Sequence, residues 1–162
     1  MGYNVGELLR SEENSADLDQ EFAIGYIDYG GEKIQLAGPV LLKGTLTNFA
    51  GDIILKGKIS LRIKTSCHLC LEGIEQGFEF DVEERFTKEE SEDAYRIEKD
   101  SIDLKTPILD NIELNLPVRF LCSKECKGLC PICGKNKNKN NCTCRVEETD
   151  PRLEVLKQFF NK

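Results

Sequence analysis

The feature that most limits the fold of this chain is a group of six cysteines near its C-terminal end. Its strongest element is the run Cys130-Pro131-Ile132-Cys133-Gly134. Two cysteines three positions apart on a tight turn can direct both sulfurs at one ion about 2.3 Å away. Proline stiffens the entry into such a turn, and glycine accepts the positive φ that ends it. The run therefore predicts a zinc knuckle, with Cys130 and Cys133 as one pair of ligands.

Spacing alone does not select the other two ligands of this predicted site. Tetrahedral zinc takes four thiolates, whereas six are available. The CPxCG form and the wide separation of the cysteine pairs favour zinc over an iron–sulfur cluster. The asparagine-rich loop in this segment has no apolar core of its own, so a metal ion is needed to order it. We expect one Zn²⁺, bound by Cys130 and Cys133 with either Cys142 and Cys144 or Cys122 and Cys126.

A further CxxC motif, Cys67-His68-Leu69-Cys70, falls at the predicted turn between two strands. A thioredoxin-like redox pair would need a βαβ setting, which the sequence does not predict here. Two interpretations have equal weight. In one, Cys67 and Cys70 belong to a second metal site, because eight cysteines divide into two sets of four. In the other, they are reduced thiols packed at the end of a hairpin. We interpret His68 as an exposed turn residue and not as a ligand.

Hydropathy and the first residues determine the expected compartment. No apolar run approaches the roughly 20 residues that cross a bilayer, so no membrane partner is expected. The start, Met1 to Glu7, has neither the basic flank nor the apolar stretch of a signal peptide. We therefore expect a cytoplasmic protein, in which clustered cysteines indicate metal or redox chemistry and not a disulfide scaffold.

The charge of the chain is unevenly distributed. The net charge is −7, which argues against a protein that simply coats nucleic acid. Residues 121–145 nevertheless carry six bases and one acid, whereas residues 75–103 carry twelve acids and four bases. The six bases are the candidate contacts to nucleic acid or a protein partner: Lys124, Lys127, Lys135, Lys137, Lys139 and Arg145.

Alternating hydrophobicity predicts several antiparallel strands between residues 22 and 86, each with one buried and one solvated face. Residues 87–101 are acidic and are expected to form an exposed loop. Thr106 as a cap, Pro107 in the first turn and Pro117 at the end predict a helix between them.

The sequence therefore predicts an α+β fold: a mainly antiparallel β-sheet, with a barrel left open as an outcome, a few helices and a C-terminal cysteine-rich zinc-binding segment. The predicted divisions are a flexible N-terminal arm or short helix at 1–20, a β-rich domain at 21–118 with one helix near 106–116, a zinc-binding segment at 119–145, and a C-terminal helix at 146–162 packed on the body.

Taken together, these motifs resemble the bacterial YceD family, the large ribosomal RNA subunit accumulation proteins. The run from Leu121 to Asn136 resembles the C-terminal signature of that family. Three further motifs fit in the same order: Cys67-x-x-Cys70-Leu71-Glu72, Ile112-x-Leu114-x-Leu116-Pro117 and Asp150-Pro151-Arg152-Leu153-x-x-Leu156. Lys137 departs from the family pattern, which usually has leucine there, but this change removes no ligand.

The resemblance implies a non-enzymatic role in 23S rRNA accumulation and large-subunit biogenesis, with a ribosomal protein and/or rRNA as partner and no small-molecule substrate. No Ser–His–Asp, paired-carboxylate or phosphate-loop constellation in the sequence supports catalysis. Some relatives lack the C-terminal cysteines, which implies that zinc is a structural staple. The alternatives are a stand-alone nucleic-acid-binding zinc ribbon and, with less support, a CxxC thiol redox protein.

Overall fold

The computed structural model describes residues 2–10 and 15–144. These residues divide into two compact units. The first, here called the sheet unit, contains residues 2–10, 15–65 and 73–118, and the second, the cysteine unit, contains residues 66–72 and 119–144. The predicted C-terminal helix lies outside the described residues. The sequence-based division had assigned residues 66–72 to the β-rich domain, whereas the structure groups them with the cysteine-rich segment.

The sheet unit contains nine strands and two helices, and the last residue of the sixth strand, Ser66, already belongs to the cysteine unit. The strands are β1 (Gly2–Asn4), β2 (Ser15–Phe22), β3 (Tyr26–Tyr29), β4 (Glu32–Leu36), β5 (Val40–Phe49), β6 (Asp52–Ser66), β7 (Gly73–Thr87), β8 (Tyr95–Glu98) and β9 (Ser101–Asp103). The helices are α1 (Gly6–Leu9) and α2 (Lys105–Asn115).

Strand β6 organises the sheet. It pairs with β7 on one side, and with β5 and then β4 on the other. Its odd-numbered side chains Ile53, Leu55, Ile59, Leu61 and Ile63 are buried, and the bases between them face solvent. Such strict alternation fixes the register, because a slip by one residue would expose the whole apolar row.

The sheet is mainly antiparallel, with a parallel pair between β7 and β8. Its strand order runs β1-β9-β8-β7-β6-β4-β3, with β5 and β2 branching from β6. Within the described part of the chain this path ends on β1 and β3 and does not close into a barrel. The mainly antiparallel sheet with helices confirms the predicted α+β class.

The described residues at the N-terminal end form strand β1 and the short helix α1. Instead of a flexible arm, β1 pairs with β9, and Val5 and Leu8 around α1 are buried. The Asn48 side chain donates to the Leu8 carbonyl oxygen at 2.8 Å. Of the two predicted alternatives for residues 1–20, a flexible arm or a short helix, the described residues contain a short helix, α1. Strand β1 was not predicted, because its apolar residues are too few to show a period.

The acidic segment 87–101 is also more ordered than a simple loop, because it contains β8 and the first residue of β9. Ile97 and Ile102 pair across these two strands and are both buried. Helix α2 begins at Lys105, one residue before the predicted cap Thr106. The Asp103 carboxylate accepts hydrogen bonds from the Thr106 amide at 3.3 Å and hydroxyl at 2.7 Å. Ile108 and Ile112 supply the buried face of the helix.

Two glycines lie directly opposite each other in the antiparallel pair of β5 and β6. Gly44 pairs with Gly57, and a Cβ on Gly44 would lie 2.4 Å from the Lys56 carbonyl oxygen and 2.7 Å from the Gly57 Cα. A Cβ on Gly57 would lie 2.3 Å from the Lys43 carbonyl oxygen. Because the obstructing atoms are backbone, no rotamer change can relieve such a contact, and the two strands can approach only with glycine at both positions.

We predict that Gly44→Ala and Gly57→Ala each lower the free energy of unfolding by about 3 kcal/mol, because the strands must separate to admit the methyl group. Urea unfolding of the full chain measures the change. Gly25→Ala is the matched control, since a Cβ there meets no atom within 4 Å, and its effect should stay within about 0.5 kcal/mol. Equal effects of the Gly44 and Gly25 variants would contradict the close approach.

Candidate metal centres

The eight cysteines form two groups of four in the cysteine unit. The first cluster contains Cys67, Cys70, Cys122 and Cys126, and all four Sγ atoms lie within 4.8 Å of one another. The Cys67–Cys126 sulfurs are 3.8 Å apart and the Cys70–Cys122 sulfurs 3.6 Å. Four thiolates around a tetrahedral ion at 2.3 Å would stand about 3.8 Å apart. The first cluster therefore has the dimensions of a tetrathiolate metal site.

The second cluster contains Cys130, Cys133, Cys142 and Cys144, again with all Sγ atoms within 4.8 Å of one another. The Cys133 and Cys142 sulfurs are 3.5 Å apart. Cys130 is buried and Cys142 is half-buried, whereas Cys133 and Cys144 are exposed. This cluster also matches a tetrahedral metal site in size, but it is more open to solvent than the first, in which two thiols are buried.

The structure thus decides which cysteines lie together. Cys130 and Cys133 lie with Cys142 and Cys144, and the alternative pair, Cys122 and Cys126, joins the CxxC motif of residues 67–70. The sequence analysis expected four ligands from the C-terminal six and weighed two sets of four as an alternative. The second cluster is one of the two sets predicted from those six, and the first cluster matches the division of eight cysteines into two sets of four. Each cluster could hold one metal ion. Metal binding by any of these thiols stays a prediction.

Hydrogen bonds shape the turn that carries the first two thiols. The Leu71 amide donates to the Cys67 carbonyl oxygen at 2.9 Å, and the Cys67 amide donates to the Glu72 carbonyl oxygen at 2.8 Å. The chain reverses through Leu71, whose φ is 60°. This left-handed conformation is unfavourable for a residue with a side chain. The first knuckle is therefore held at a cost in backbone strain.

The turn of the second cluster repeats this pattern. The Gly134 amide donates to the Cys130 carbonyl oxygen at 2.8 Å, and the Cys130 amide donates to the Lys135 carbonyl oxygen at 2.8 Å. Here the residue with positive φ is Gly134, at 69°, which carries no Cβ and no strain. The two turns are local equivalents, and they differ in the residue that occupies the left-handed position.

Backbone amides around the first cluster favour the thiolate form. Burial acts to raise the pKa of the Cys67 thiol, but amides of Cys122, Cys70 and Leu69 donate to its sulfur and hold its pKa at about 6. A metal ligand must be deprotonated, so these donors prepare Cys67 to bind a cation near neutral pH.

The same effect operates in the second cluster, where the amides of Cys133 and Ile132 lower the pKa of Cys130 to about 6. Cys144 shows the opposite shift: its S–H donates to the sulfurs of Cys142 and Cys133, which raises its pKa to about 12. A bound cation would replace that proton and balance the negative charge that neighbouring thiolates concentrate there.

The cysteine unit has very little apolar core. Among its 33 described residues, Phe120 is the one large side chain other than a cysteine that is buried, alongside Cys67, Cys70 and Cys130. The His68 ring packs edge-on against Phe120 with ring centroids 5.7 Å apart. His68 lies outside both clusters, in agreement with the turn-residue interpretation. So small an apolar core among the described residues favours a crosslink or metal ion as what orders them.

The predicted contact lysines lie in the same unit. Lys124, Lys127, Lys135 and Lys139 are exposed and Lys137 is half-buried. Lys139 forms an ion pair with Glu72, so part of its charge is already neutralised. Arg145 lies outside the described residues. Whether these lysines contact a partner stays a prediction.

One residue with a direct role at a cluster was not identified from the sequence. The Asn138 side chain donates an N–H to the Cys126 sulfur at 3.2 Å, and its Oδ1 accepts from the Lys127 amide at 2.8 Å. The asparagine-rich composition of the loop marked it as polar. It could not show which asparagine faces a sulfur, because that depends on how two distant segments fold together.

Comparison with known proteins identifies the family. The family model described as "Large ribosomal RNA subunit accumulation protein YceD" matches residues 55–160, which include all eight cysteines. The chain belongs to the YceD family. All the motifs on which the resemblance was based lie within the matched region, and the resemblance is confirmed.

Curated relatives agree with this assignment. "Uncharacterized protein YlbN" of Bacillus subtilis is 23% identical over 168 aligned residues, which cover 100% of this chain and 98% of the relative. "Large ribosomal RNA subunit accumulation protein YCED homolog 1, chloroplastic" of Arabidopsis thaliana is 41% identical over 49 residues, or 30% of this chain and 15% of that protein. The maize protein of the same name is 26% identical over 96% of this chain and 64% of its own length. The chain thus spans less than two thirds of either plant relative.

No solved structure matches this chain. No helix in the described part of the chain is long and apolar enough to cross a membrane.

We predict opposite effects of substitution at the two left-handed positions. Leu71→Gly removes the strain of a left-handed leucine, about 1 kcal/mol, and should leave the chain equally stable or more stable, because the side chain is 66% exposed. Gly134→Ala introduces strain and should destabilise by about 1 kcal/mol. Urea unfolding of the full chain measures both. A loss of stability in Leu71→Gly as large as that in Gly134→Ala would show that the exposed leucine makes a stabilising contact.

Proposed function

We propose that this chain is a non-enzymatic factor for 23S rRNA accumulation and large ribosomal subunit biogenesis, in which Zn²⁺ holds a basic segment that binds a ribosomal component. The observation that carries the proposal is the match to the YceD family over residues 55–160, together with two clusters of tetrathiolate dimensions inside the matched region. The family is named for rRNA accumulation and not for a reaction, which supports a role without catalysis.

Zinc is the ion that best fits these donors. Four cysteine sulfurs in tetrahedral arrangement are a characteristic structural zinc site, closed to substrate because no position is left for water. The clusters therefore support zinc as a structural element and give no support to Lewis-acid chemistry. The same closed coordination argues against the thiol redox alternative, since a thiolate bound to zinc is not free to attack a disulfide.

The charge of the cysteine unit bears on the kind of partner. Its described residues carry six bases, among them Arg119, and two acids, Glu72 and Glu125. The side chains thus supply a charge of +4. Each Zn²⁺ with four thiolates carries −2, so two loaded clusters bring the described part of the unit to zero. Tight nucleic-acid binding depends on many Lys and Arg side chains whose charge is free to contact phosphates. This balance favours a protein partner, or a limited RNA contact, over extensive RNA binding.

The acidic part of the chain is also largely neutralised where the sheet is regular. Bases of β6 and acids of β7 alternate along their exposed faces, as in these pairs: Lys56–Glu83 at 2.8 Å, Lys58–Glu79 at 2.9 Å and Arg62–Glu75 at 3.8 Å. The acids between β7 and β8, residues 89–93, are exposed and form no ion pair among the described residues. A basic ribosomal protein would find more uncompensated negative charge in that loop than on the paired face of β6 and β7.

We predict that depletion of the chain from its host lowers 23S rRNA relative to 16S rRNA and reduces the large-subunit peak in a sucrose gradient. The wild-type gene should restore both. A variant with Lys124, Lys127 and Lys135 changed to Gln should fail, because these exposed lysines carry the proposed contact. The matched control changes Lys33, Lys99 and Lys105 to Gln, which alters the net charge equally at exposed positions of the sheet unit. Unchanged 23S rRNA on depletion would refute the proposed function.

Affinity purification with and without ribonuclease then separates the partner classes. A ribosomal protein that stays bound after ribonuclease treatment, and is lost in the Lys124, Lys127 and Lys135 variant alone, supports direct protein binding. Recovery of rRNA with equal losses in both triple variants would instead indicate non-specific attraction to charge.

A further inference from the structure

The two clusters are joined by hydrogen bonds from one loop. Residues 134–141 connect Cys133 to Cys142 and therefore belong to the second cluster by sequence. Within this loop, the Asn136 side chain donates to the Glu72 carboxylate at 3.1 Å, and Lys139 forms an ion pair with the same carboxylate. Glu72 follows the first CxxC motif by two residues. The loop of the second cluster is thus fastened to the knuckle of the first.

A second set of contacts joins the same two regions through backbone atoms. The Leu129 amide donates to the Leu69 carbonyl oxygen at 3.0 Å, and the Lys137 amide donates to the Gly128 carbonyl oxygen at 2.9 Å. Gly128 has φ 67°, and a Cβ there would lie 3.0 Å from the Leu69 carbonyl oxygen. The two knuckles can approach this closely because residue 128 is glycine.

Asn138 forms the contact with the most direct chemical consequence. Its Nδ2 donates to the Cys126 sulfur of the first cluster at 3.2 Å, although the residue lies in the loop of the second. Its orientation is fixed, because Oδ1 accepts from the Lys127 amide at 2.8 Å and the Asn138 amide donates to Asn136 Oδ1 at 2.9 Å. Groups that donate to a metal-bound ligand orient it and typically change metal affinity 10- to 100-fold.

We propose that the two clusters bind their metal ions as a coupled pair, with Asn138 as the positioning residue that transmits the coupling. A metal ion in the second cluster fixes both ends of the loop at Cys133 and Cys142. The loop then holds the Asn138 amide against Cys126, which stabilises that thiolate and the ion bound to it. An ion in the first cluster fixes Cys126 and so favours the same loop conformation. Such coupling is reciprocal: each ion raises the affinity for the other by the same factor.

This inference rests on the metal binding in the proposed function, and one set of measurements separates the two. The probe is ¹¹³Cd²⁺, which binds tetrathiolate sites and gives a separate NMR signal for each. The full chain is kept reduced, and affinity is measured by competition with a chelator. Cys133→Ser with Cys142→Ser disables the second cluster and so assigns its signal.

We predict that Asn138→Ala weakens ¹¹³Cd²⁺ binding at the first cluster 10- to 100-fold and shifts the signal of that cluster, while the signal of the second stays in place. Disabling the second cluster should weaken the first by a similar factor, and should add little in the Asn138→Ala background. Asn140→Ala is the matched control: it lies in the same loop and makes no side-chain hydrogen bond among the described residues. It should change neither signal nor affinity.

Three outcomes would overturn the coupling. The first is an Asn138→Ala variant whose ¹¹³Cd²⁺ affinity and NMR signals are the same as those of Asn140→Ala. The second is a first cluster whose affinity is unchanged when the second is disabled. If both clusters still bind ¹¹³Cd²⁺ in the wild-type chain, either of these results leaves the structural role of metal in the proposed function intact. The third, binding of ¹¹³Cd²⁺ at neither cluster, removes the coupling and that structural role together. Because Asn138→Ala retains all eight thiols, the test remains decisive if the double serine variant fails to fold.

Discussion

Convergence of four sulfurs from two distant segments is the constraint on which the cysteine unit depends. Residues 67–70 and 119–126 contribute two thiols each to the first cluster, across more than 50 positions of sequence. Packed thiols without a cation have little to hold them together, since burial opposes their ionisation and neighbouring thiolates repel. A structural zinc ion contributes about 10–16 kcal/mol in small zinc-binding peptides. Bonds of that strength can order the part of the unit that the structure describes, in which Phe120 is the one large buried side chain besides the cysteines.

The same constraint connects charge to structure. A segment rich in lysine can be interpreted as a phosphate-binding surface, but two Zn²⁺ ions bound as proposed would place four negative charges among those lysines. Part of the basic charge would then balance the bound metal ions, and Lys139 already forms an ion pair with Glu72. In the proposed function, only a small number of exposed lysines would remain to contact a partner. Such a surface suits recognition of one defined partner better than general attraction to RNA.

Local signals in the sequence were sufficient for much of this structure. Alternation in β6, the prolines around α2 and the CPxCG motif each depend on neighbouring residues, and each predicted its element. The N-terminal strand and β8 were missed because they are three or four residues long, and their order comes from pairing with distant strands. The division of the cysteines was left open for the same reason: spacing specifies a pair on one turn, whereas the partner pair is chosen by the fold. The role of Asn138 could not be predicted from the sequence, because its contact with Cys126 depends on how the two clusters lie in the fold.

Zinc K-edge X-ray absorption with elemental analysis of the purified full chain tests whether two tetrathiolate metal centres exist. If each cluster binds zinc as proposed, the measurement should find close to two zinc ions per chain, each with four sulfur neighbours at about 2.3 Å and no nitrogen or oxygen ligand. Fewer than one ion per chain in protein kept reduced and free of chelator would contradict the account. So would a first shell that contains nitrogen or oxygen, because the ligands would then differ from the eight cysteines.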